Sequence, residues 1–141
     1  MDFNLDRFVN AQASAYPAAF AEMQAGCKRG HWIWYIFPQL AQLGYSSNAR
    51  YFGISGMAEA KAYLAHPVLG ARLREISRLL LMLDGSDPVT LMSSYVDAMK
   101  LRSSMTLFAE ADGYDSVFGG VLDKYFQSGP DSLTIDYLRV E

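Results

Sequence analysis

Apolar residues recur along most of the chain at the three- and four-residue spacing of an α-helix. Leu5, Phe8, Val9 and Gln12, for example, occupy positions i, i+3, i+4 and i+7. Stripes of this kind begin at Leu5, Tyr16, Met57, Leu69, Tyr95 and Val117. The pattern therefore predicts helices over nearly the whole sequence, with shorter helical turns between the longer ones.

Proline and glycine divide this helical pattern. Pro17 and Pro67 suit the first turn of a helix, and Gly85 suits a helix end. No stretch of six or more residues alternates cleanly between apolar and polar, as an exposed β-strand would. Residues 133–140 fit neither period. We predict an all-α fold, a compact single-domain bundle of six to eight helices, several of them short, spanning residues 1–141.

Composition narrows the classes of function. The 141 residues are 51% hydrophobic, with 12 basic and 15 acidic side chains and a net charge of −3, which is typical of a globular chain. Net acidity argues against general nucleic-acid binding and against a polybasic membrane-surface module. No signal sequence or membrane span is predicted, and the lone Cys27 excludes an internal disulfide, so a cytoplasmic protein is expected.

Two segments contain candidate chemistry, and the first is aromatic. Trp32 and Trp34 lie within one three-residue span beside His31, one of only two histidines. An indole ring is a good stacking surface for a planar ligand, and an imidazole can act as an acid or base near neutral pH. The alternative is a purely structural cluster of aromatic side chains, with His31 at a helix end.

The second segment, residues 97–108, places polar groups on an apolar helical face. A helical wheel puts Asp97, Lys100 and Ser104 among apolar side chains and leaves Ala98, Arg102 and Thr106 on the opposite side. A buried charge costs several kcal/mol unless it is paired, and Asp97 lies three residues before Lys100. Lys100 with the serines could bind a phosphate or carboxylate, or could activate Ser103 or Ser104 as a nucleophile. The alternative is a buried structural Asp–Lys pair.

Two glutamines extend this hypothesis. Gln12 stands where its stripe predicts an apolar residue, so it is either a satisfied amide in the core or a polar wall of the same cavity. Gln39 directly follows Pro38 and could join that wall. The two histidines are 35 positions apart without an acidic cluster, so the sequence shows no metal-ligand spacing. It also contains no glycine-rich cofactor motif.

The same segments carry a resemblance to a known family. Residues 8–12, 26–39, 60–73 and 100–108 resemble a widespread bacterial family of unknown function, whose members are sometimes labelled "calpastatin". The most distinctive strings are His-Trp-Ile-Trp-Tyr-Ile-Phe-Pro-Gln at 31–39 and Lys-Leu-Arg-Ser-Ser-Met-Thr-Leu-Phe at 100–108. The resemblance implies a compact all-helical domain and no established activity. The chain departs from the family at Ser93-Ser94-Tyr95, where the family usually has a Phe-Gly turn.

We therefore predict a site for a small anionic, partly planar, nucleotide-like metabolite, with no cofactor and no metal. The candidates for catalysis, by hydrolysis or group transfer, are His31, Lys100 and Ser104. The candidates for ligand binding are Gln12, Trp32, Trp34, Gln39, Asp97 and Ser103. The competing hypothesis is a non-catalytic protein–protein interaction module with Trp32, Tyr45 or Tyr51 as exposed anchors. Under either hypothesis we expect a monomer or weak homodimer.

Overall fold

The computed structural model describes residues 3–140, and its regular structure in that range is helical. Nine α-helices and one 3₁₀ turn, Ala41–Leu43, are found there. The α-helices are α1 (Asp6–Gln24), α2 (Ile33–Ile36), α3 (Ser47–Tyr51), α4 (Met57–Ala65), α5 (Leu69–Met82), α6 (Pro88–Met92), α7 (Tyr95–Asp112), α8 (Val117–Tyr125) and α9 (Ser132–Arg139). Six of these have eight or more residues and three have four or five. The predicted all-α fold is confirmed.

Helix α7 lies at the centre of the bundle, where α2, α4, α6, α8 and α9 pack against it. Ala98 and Thr106 are buried, although the helical wheel placed both opposite the apolar face. That part of the prediction is wrong, because neighbours surround α7 on several sides and leave it no single solvent face. Thr106 fits there because its hydroxyl donates to the Arg102 carbonyl (2.8 Å).

Helix α1 continues through Pro17, where the sequence predicted a helix start. Proline removes one backbone hydrogen bond, to the carbonyl four residues earlier, which here belongs to Ala13. Pro17 and Ala13 are both exposed, so water can hydrate the carbonyl that loses its donor. The two predicted apolar stripes therefore belong to one long helix.

The unclassified C-terminal segment forms α9. The Asp131 carboxylate caps this helix by accepting from the Thr134 backbone N–H (3.2 Å) and the Thr134 hydroxyl (2.6 Å). Arg102 on α7 donates to the Gly129 carbonyl (2.8 Å) just before it. These bonds hold the start of α9 beside α7, and the candidate site lies at that junction.

Buried aromatic rings connect three helices in the core. Tyr63 on α4 lies 5.3 Å from Phe108 on α7, and Phe108 lies 5.8 Å from Phe118 on α8, measured between ring centroids. All three side chains are fully buried. Because close-packed interiors resist deformation, this core gives the site a rigid support. Among residues 3–140, no helix combines the length and apolar character needed to cross a membrane.

Candidate functional site

One cavity of about 480 Å³ opens beside α7. Its walls come from the 3₁₀ turn and α3 on one side, from the first half of α7, and from the start of α9. The side chains that give it chemical character are Gln39, Tyr45, Tyr95, Val96, Met99, Lys100, Ser103, Asp131 and Leu133. We call this the α7 cavity. Its volume lies within the range usual for small-molecule sites.

The rim of the α7 cavity is apolar and unusually exposed. Tyr45 is 87% exposed and Tyr95 is 67% exposed, and Val96 and Leu133 are exposed as well. These four side chains come from three separate segments of the chain. Apolar groups that converge in this way offer a surface for a planar or apolar ligand group.

Lys100 supplies the positive charge of this cavity. Its ammonium group lies 5.2 Å from the centroid of the Trp34 ring and 3.8 Å from Asp97 Oδ1. The side chain is 25% exposed, so Lys100 stands at the edge of the core rather than within it. Lys100 therefore contacts two other candidate residues, Asp97 and Trp34, and neither of these lines the cavity itself.

Asp97 has a closer partner that the sequence analysis missed. The Lys28 ammonium group lies 2.8 Å from Asp97 Oδ2, and its side chain is only 6% exposed. Lys28 also donates to the Gly30 carbonyl (2.6 Å) and lies over the Trp32 ring. Lys28 and Asp97 are 69 positions apart, so no local spacing signalled the pair. The short, shielded Lys28–Asp97 contact is the structural ion pair, and the 3.8 Å Lys100–Asp97 contact is a weak addition to it.

This sharing leaves Lys100 weakly paired. Lys28 holds the shorter contact with Asp97 and also lies near the Glu22 carboxylate, so its charge is balanced without Lys100. Lys100 keeps only the 3.8 Å contact with Asp97, and its side chain lines the cavity. A further carboxylate, that of Asp131, lies elsewhere on the wall and is bound by its own donors. The cavity thus has one cationic and one anionic position.

Gln39 adds a polar group without an internal partner. It lines the α7 cavity and is only 9% exposed. Its backbone carbonyl accepts from Ile54 N–H (2.9 Å), which fixes the segment, while its side-chain amide makes no hydrogen bond with residues 3–140. The amide is not sealed from solvent, so it is available to a ligand or to water in the cavity. The prediction that Gln39 joins the cavity wall matches its position.

The two candidate serines lie in different environments. Ser103 lines the cavity, where its hydroxyl contacts the Met99 carbonyl and Asp131 Oδ2, each at 3.1 Å. Ser104 is completely buried, does not line the cavity, and its hydroxyl has no partner within the described residues. Successive helical residues point about 100° apart, which explains the divergence. The geometry gives Ser104 no access to a ligand beside Lys100.

Besides Asp97, Trp34 and Ser104, three more predicted residues lie outside the cavity wall. Gln12 is buried and donates to the Tyr35 carbonyl (2.7 Å) and the Tyr63 hydroxyl (3.0 Å), so it is a satisfied core amide. Trp32 is buried, which rules it out as an exposed anchor. His31 is exposed and is not among the lining residues, so the fold does not bring it to the cavity with Lys100.

The loop that carries Lys28 is held by Glu22. Glu22 Oε1 accepts from the backbone N–H groups of Arg29 (2.7 Å) and Gly30 (2.9 Å) and from Trp32 Nε1 (2.9 Å). Desolvation raises the pKa of Glu22, but these donors together with the Lys28 charge outweigh it and hold the pKa below its ordinary value. The ionised carboxylate therefore stabilises the loop.

We expect Glu22→Gln to change how stability depends on pH. A lowered carboxyl pKa adds stability above the unfolded value of about 4.3, and this stability is lost as the pH falls through the lowered pKa. The difference in free energy of unfolding between wild type and Glu22→Gln should be largest at neutral pH and should shrink under acid. Urea unfolding from pH 7 to pH 3 measures it, and a difference independent of pH would contradict the assignment.

Among residues 3–140, no group of three or more His, Cys, Asp or Glu side chains is placed to hold a metal ion. The wall of the α7 cavity instead carries an ammonium group, an amide, a carboxylate and tyrosine rings.

The fold and the α7 cavity place the chain in a class of all-helical proteins to which no activity is assigned. The chain belongs to a family of proteins of unknown function (DUF1810), whose model matches residues 2–138, and the predicted family membership is thereby confirmed. The chain is similar to the conserved hypothetical protein Rv1873 from Mycobacterium tuberculosis, with 45% identity over 99% of each chain. Its crystal structure superposes with a TM-score of 0.94. No curated protein is significantly similar to the chain.

Proposed function

We propose that the protein binds a small anionic, partly planar metabolite, such as a nucleotide, in the α7 cavity. The observation that supports this most is the ammonium group of Lys100, which has only a 3.8 Å contact with Asp97 and lies at the edge of a largely apolar cavity. A hydrogen bond between an ammonium group and an anion is about twice as strong as one between neutral groups. The proposal places the anionic group of the ligand on Lys100.

Lys28 makes Lys100 available to a ligand. If Lys100 were the only partner of Asp97, an incoming anion would have to leave a half-buried carboxylate unpaired, which is costly. Here Asp97 keeps its 2.8 Å contact with Lys28 when Lys100 turns away. The contact that Lys100 gives up is the longer one, 3.8 Å, so the exchange costs little.

The tyrosines and Gln39 suit the planar part of the ligand. Tyr45 and Tyr95 expose aromatic surface on the rim, and stacking of a base on an aromatic side chain is worth about 1–3 kcal/mol. The Gln39 amide can donate and accept, and it has no partner within the described residues. Such a group binds the polar edge of a heterocycle.

Adenosine monophosphate (AMP) is expected to raise the melting temperature of the wild-type protein. At about 100 times its dissociation constant a ligand adds about 2.7 kcal/mol to stability, which corresponds to several degrees for a chain of this size. Adenosine, which lacks the phosphate, should give a much smaller shift. Differential scanning fluorimetry over a concentration series measures both.

Lys100→Met should abolish the AMP-induced shift, because methionine keeps the length and apolar contacts of lysine but not its charge. Lys61→Met is the matched control, since Lys61 is an exposed lysine on α4 that lies outside the α7 cavity. A shift that persists in Lys100→Met, or that is lost equally in Lys61→Met, would contradict the proposed site. The absence of any shift with nucleoside monophosphates would contradict the proposed ligand class.

Self-association is a second candidate function, which the exposed rim favours. Tyr45, Tyr95, Val96 and Leu133 form a cluster of the kind that anchors protein interfaces. Sedimentation of wild type and Tyr95→Ser over a wide concentration range tests it. A concentration-dependent dimer that Tyr95→Ser weakens supports this candidate, and a monomer throughout opposes it.

A further inference from the structure

We propose that the ligand of the α7 cavity carries a hydrogen-bond donor group, such as the exocyclic amino group of a base, which binds the carboxylate of Asp131. This inference rests on the proposed function and narrows its ligand class. It assigns specificity to a residue that the sequence analysis did not select.

One oxygen of Asp131 is fully engaged and the other is not. Oδ2 accepts from Thr134 N–H (3.2 Å), the Thr134 hydroxyl (2.6 Å) and Ser103 Oγ (3.1 Å). Oδ1 receives no hydrogen bond from any residue in the range 3–140, although Asp131 lines the cavity. The backbone of Asp131 is also held, because its N–H donates to Thr106 Oγ1 (2.8 Å). The bonds to Oδ2 fix the orientation of the carboxylate and leave Oδ1 open.

An ionised carboxylate oxygen can only accept hydrogen bonds. A ligand amino group facing Oδ1 would donate to it, whereas a ligand carbonyl in the same place would be repelled. Gln39 cannot discriminate in this way, since rotation of its amide presents either a donor or an acceptor. Asp131 is therefore the group on this wall that distinguishes amino from keto ligands.

The anionic and donor groups of the ligand must also be separated. Ser103 follows Lys100 by three residues, which places their Cβ atoms about 5–6 Å apart. Asp131 lies beyond Ser103, at 3.1 Å from its hydroxyl. A ligand that contacts both Lys100 and Asp131 must therefore be longer than a single hydrogen bond. A phosphate with an attached base is long enough, whereas a lone small anion is not.

Isothermal titration with matched nucleotides tests this specificity. AMP and cytidine monophosphate carry an amino group where inosine monophosphate (IMP) and uridine monophosphate carry a carbonyl. One charge-assisted hydrogen bond predicts at least about tenfold tighter binding of the amino member of each pair. Equal affinities with dependence on Lys100 retained would overturn this inference and leave the proposed function standing. Failure of all four nucleotides to bind would overturn both.

Asp131→Asn is expected to reverse the preference. Asparagine is an equally good N-cap, and its single carbonyl oxygen is needed to accept from Thr134. Its NH₂ group then replaces Oδ1 toward the cavity and favours a keto ligand, so IMP should bind more tightly than AMP.

The matched control is Asp87→Asn. Asp87 caps α6 by accepting from Val89 N–H (3.0 Å) and from Thr90, and it does not line the α7 cavity. This variant should keep the wild-type preference for AMP. An Asp131→Asn protein that still prefers AMP would overturn the role of Asp131. If Asp131→Asn does not fold, the AMP-to-IMP affinity ratio of the wild type still decides the proposal.

Discussion

Glu59→Ala is expected to lower the free energy of unfolding by about 3–5 kcal/mol, the usual cost of removing one partner of a buried ion pair. Glu59 Oε2 lies 2.9 Å from Arg7 Nη2, and both side chains are shielded from solvent. Its other oxygen accepts from Ser55 N–H (2.8 Å) at the start of α4. Truncation would leave a guanidinium without its counter-ion and a backbone donor without its acceptor. Urea unfolding followed by circular dichroism measures the change.

The control for this prediction is a more exposed ion pair of the same type. Arg74 and Asp112 are 3.8 Å apart, and both side chains are about one-third exposed. Since such pairs contribute at most about 1 kcal/mol, Asp112→Ala should have little effect. Similar losses for the two variants would show that burial of the Arg7–Glu59 pair does not determine its contribution.

Phe108→Ala should cost about 3–5 kcal/mol, the range for truncating a buried aromatic residue. Phe108 lies in the C-terminal half of α7, and its ring contacts Tyr63 on one side and Phe118 on the other. The cavity left by the ring would separate α4 from α8, and the close-packed core has no spare group to fill it. The same unfolding experiment measures this loss.

Tyr51→Ala is the comparison for Phe108→Ala. Tyr51 is exposed. Within residues 3–140 its ring contacts one other aromatic ring, that of Phe52. A surface truncation of this kind usually changes stability by about 0.5 kcal/mol or less. A loss at Phe108 no larger than that at Tyr51 would mean that α7 does not form the centre of the core.

Helical periodicity was enough to predict the fold class, because most helices bury one regular stripe. The stripe from Leu69 to Leu83 matches α5, where Leu69, Leu73, Ile76 and Leu80 are buried. The errors occur where neighbours override local pattern. Pro17 lies within a helix because its face is exposed, and α9 escaped detection because Thr134 is its only fully buried residue within the described range.

The candidate site was predictable as two segments but not as an arrangement. Lys100, Ser103 and Gln39 reach one cavity, while Ser104 turns into the core, one helical position away. A helical wheel gives the direction of a side chain but not what packs against it. The partner of Asp97 could not be found from spacing, because Lys28 comes from a loop that only the folded chain brings to α7.

A crystal structure of the protein with AMP would show directly whether Lys100 binds the anionic group of a ligand while Lys28 stays with Asp97. We expect a phosphate oxygen about 2.7–2.9 Å from the Lys100 ammonium group, with the Lys28–Asp97 contact intact and the base beside the rim tyrosines. A phosphate bound away from Lys100, with Lys100 still turned toward Asp97, would contradict it.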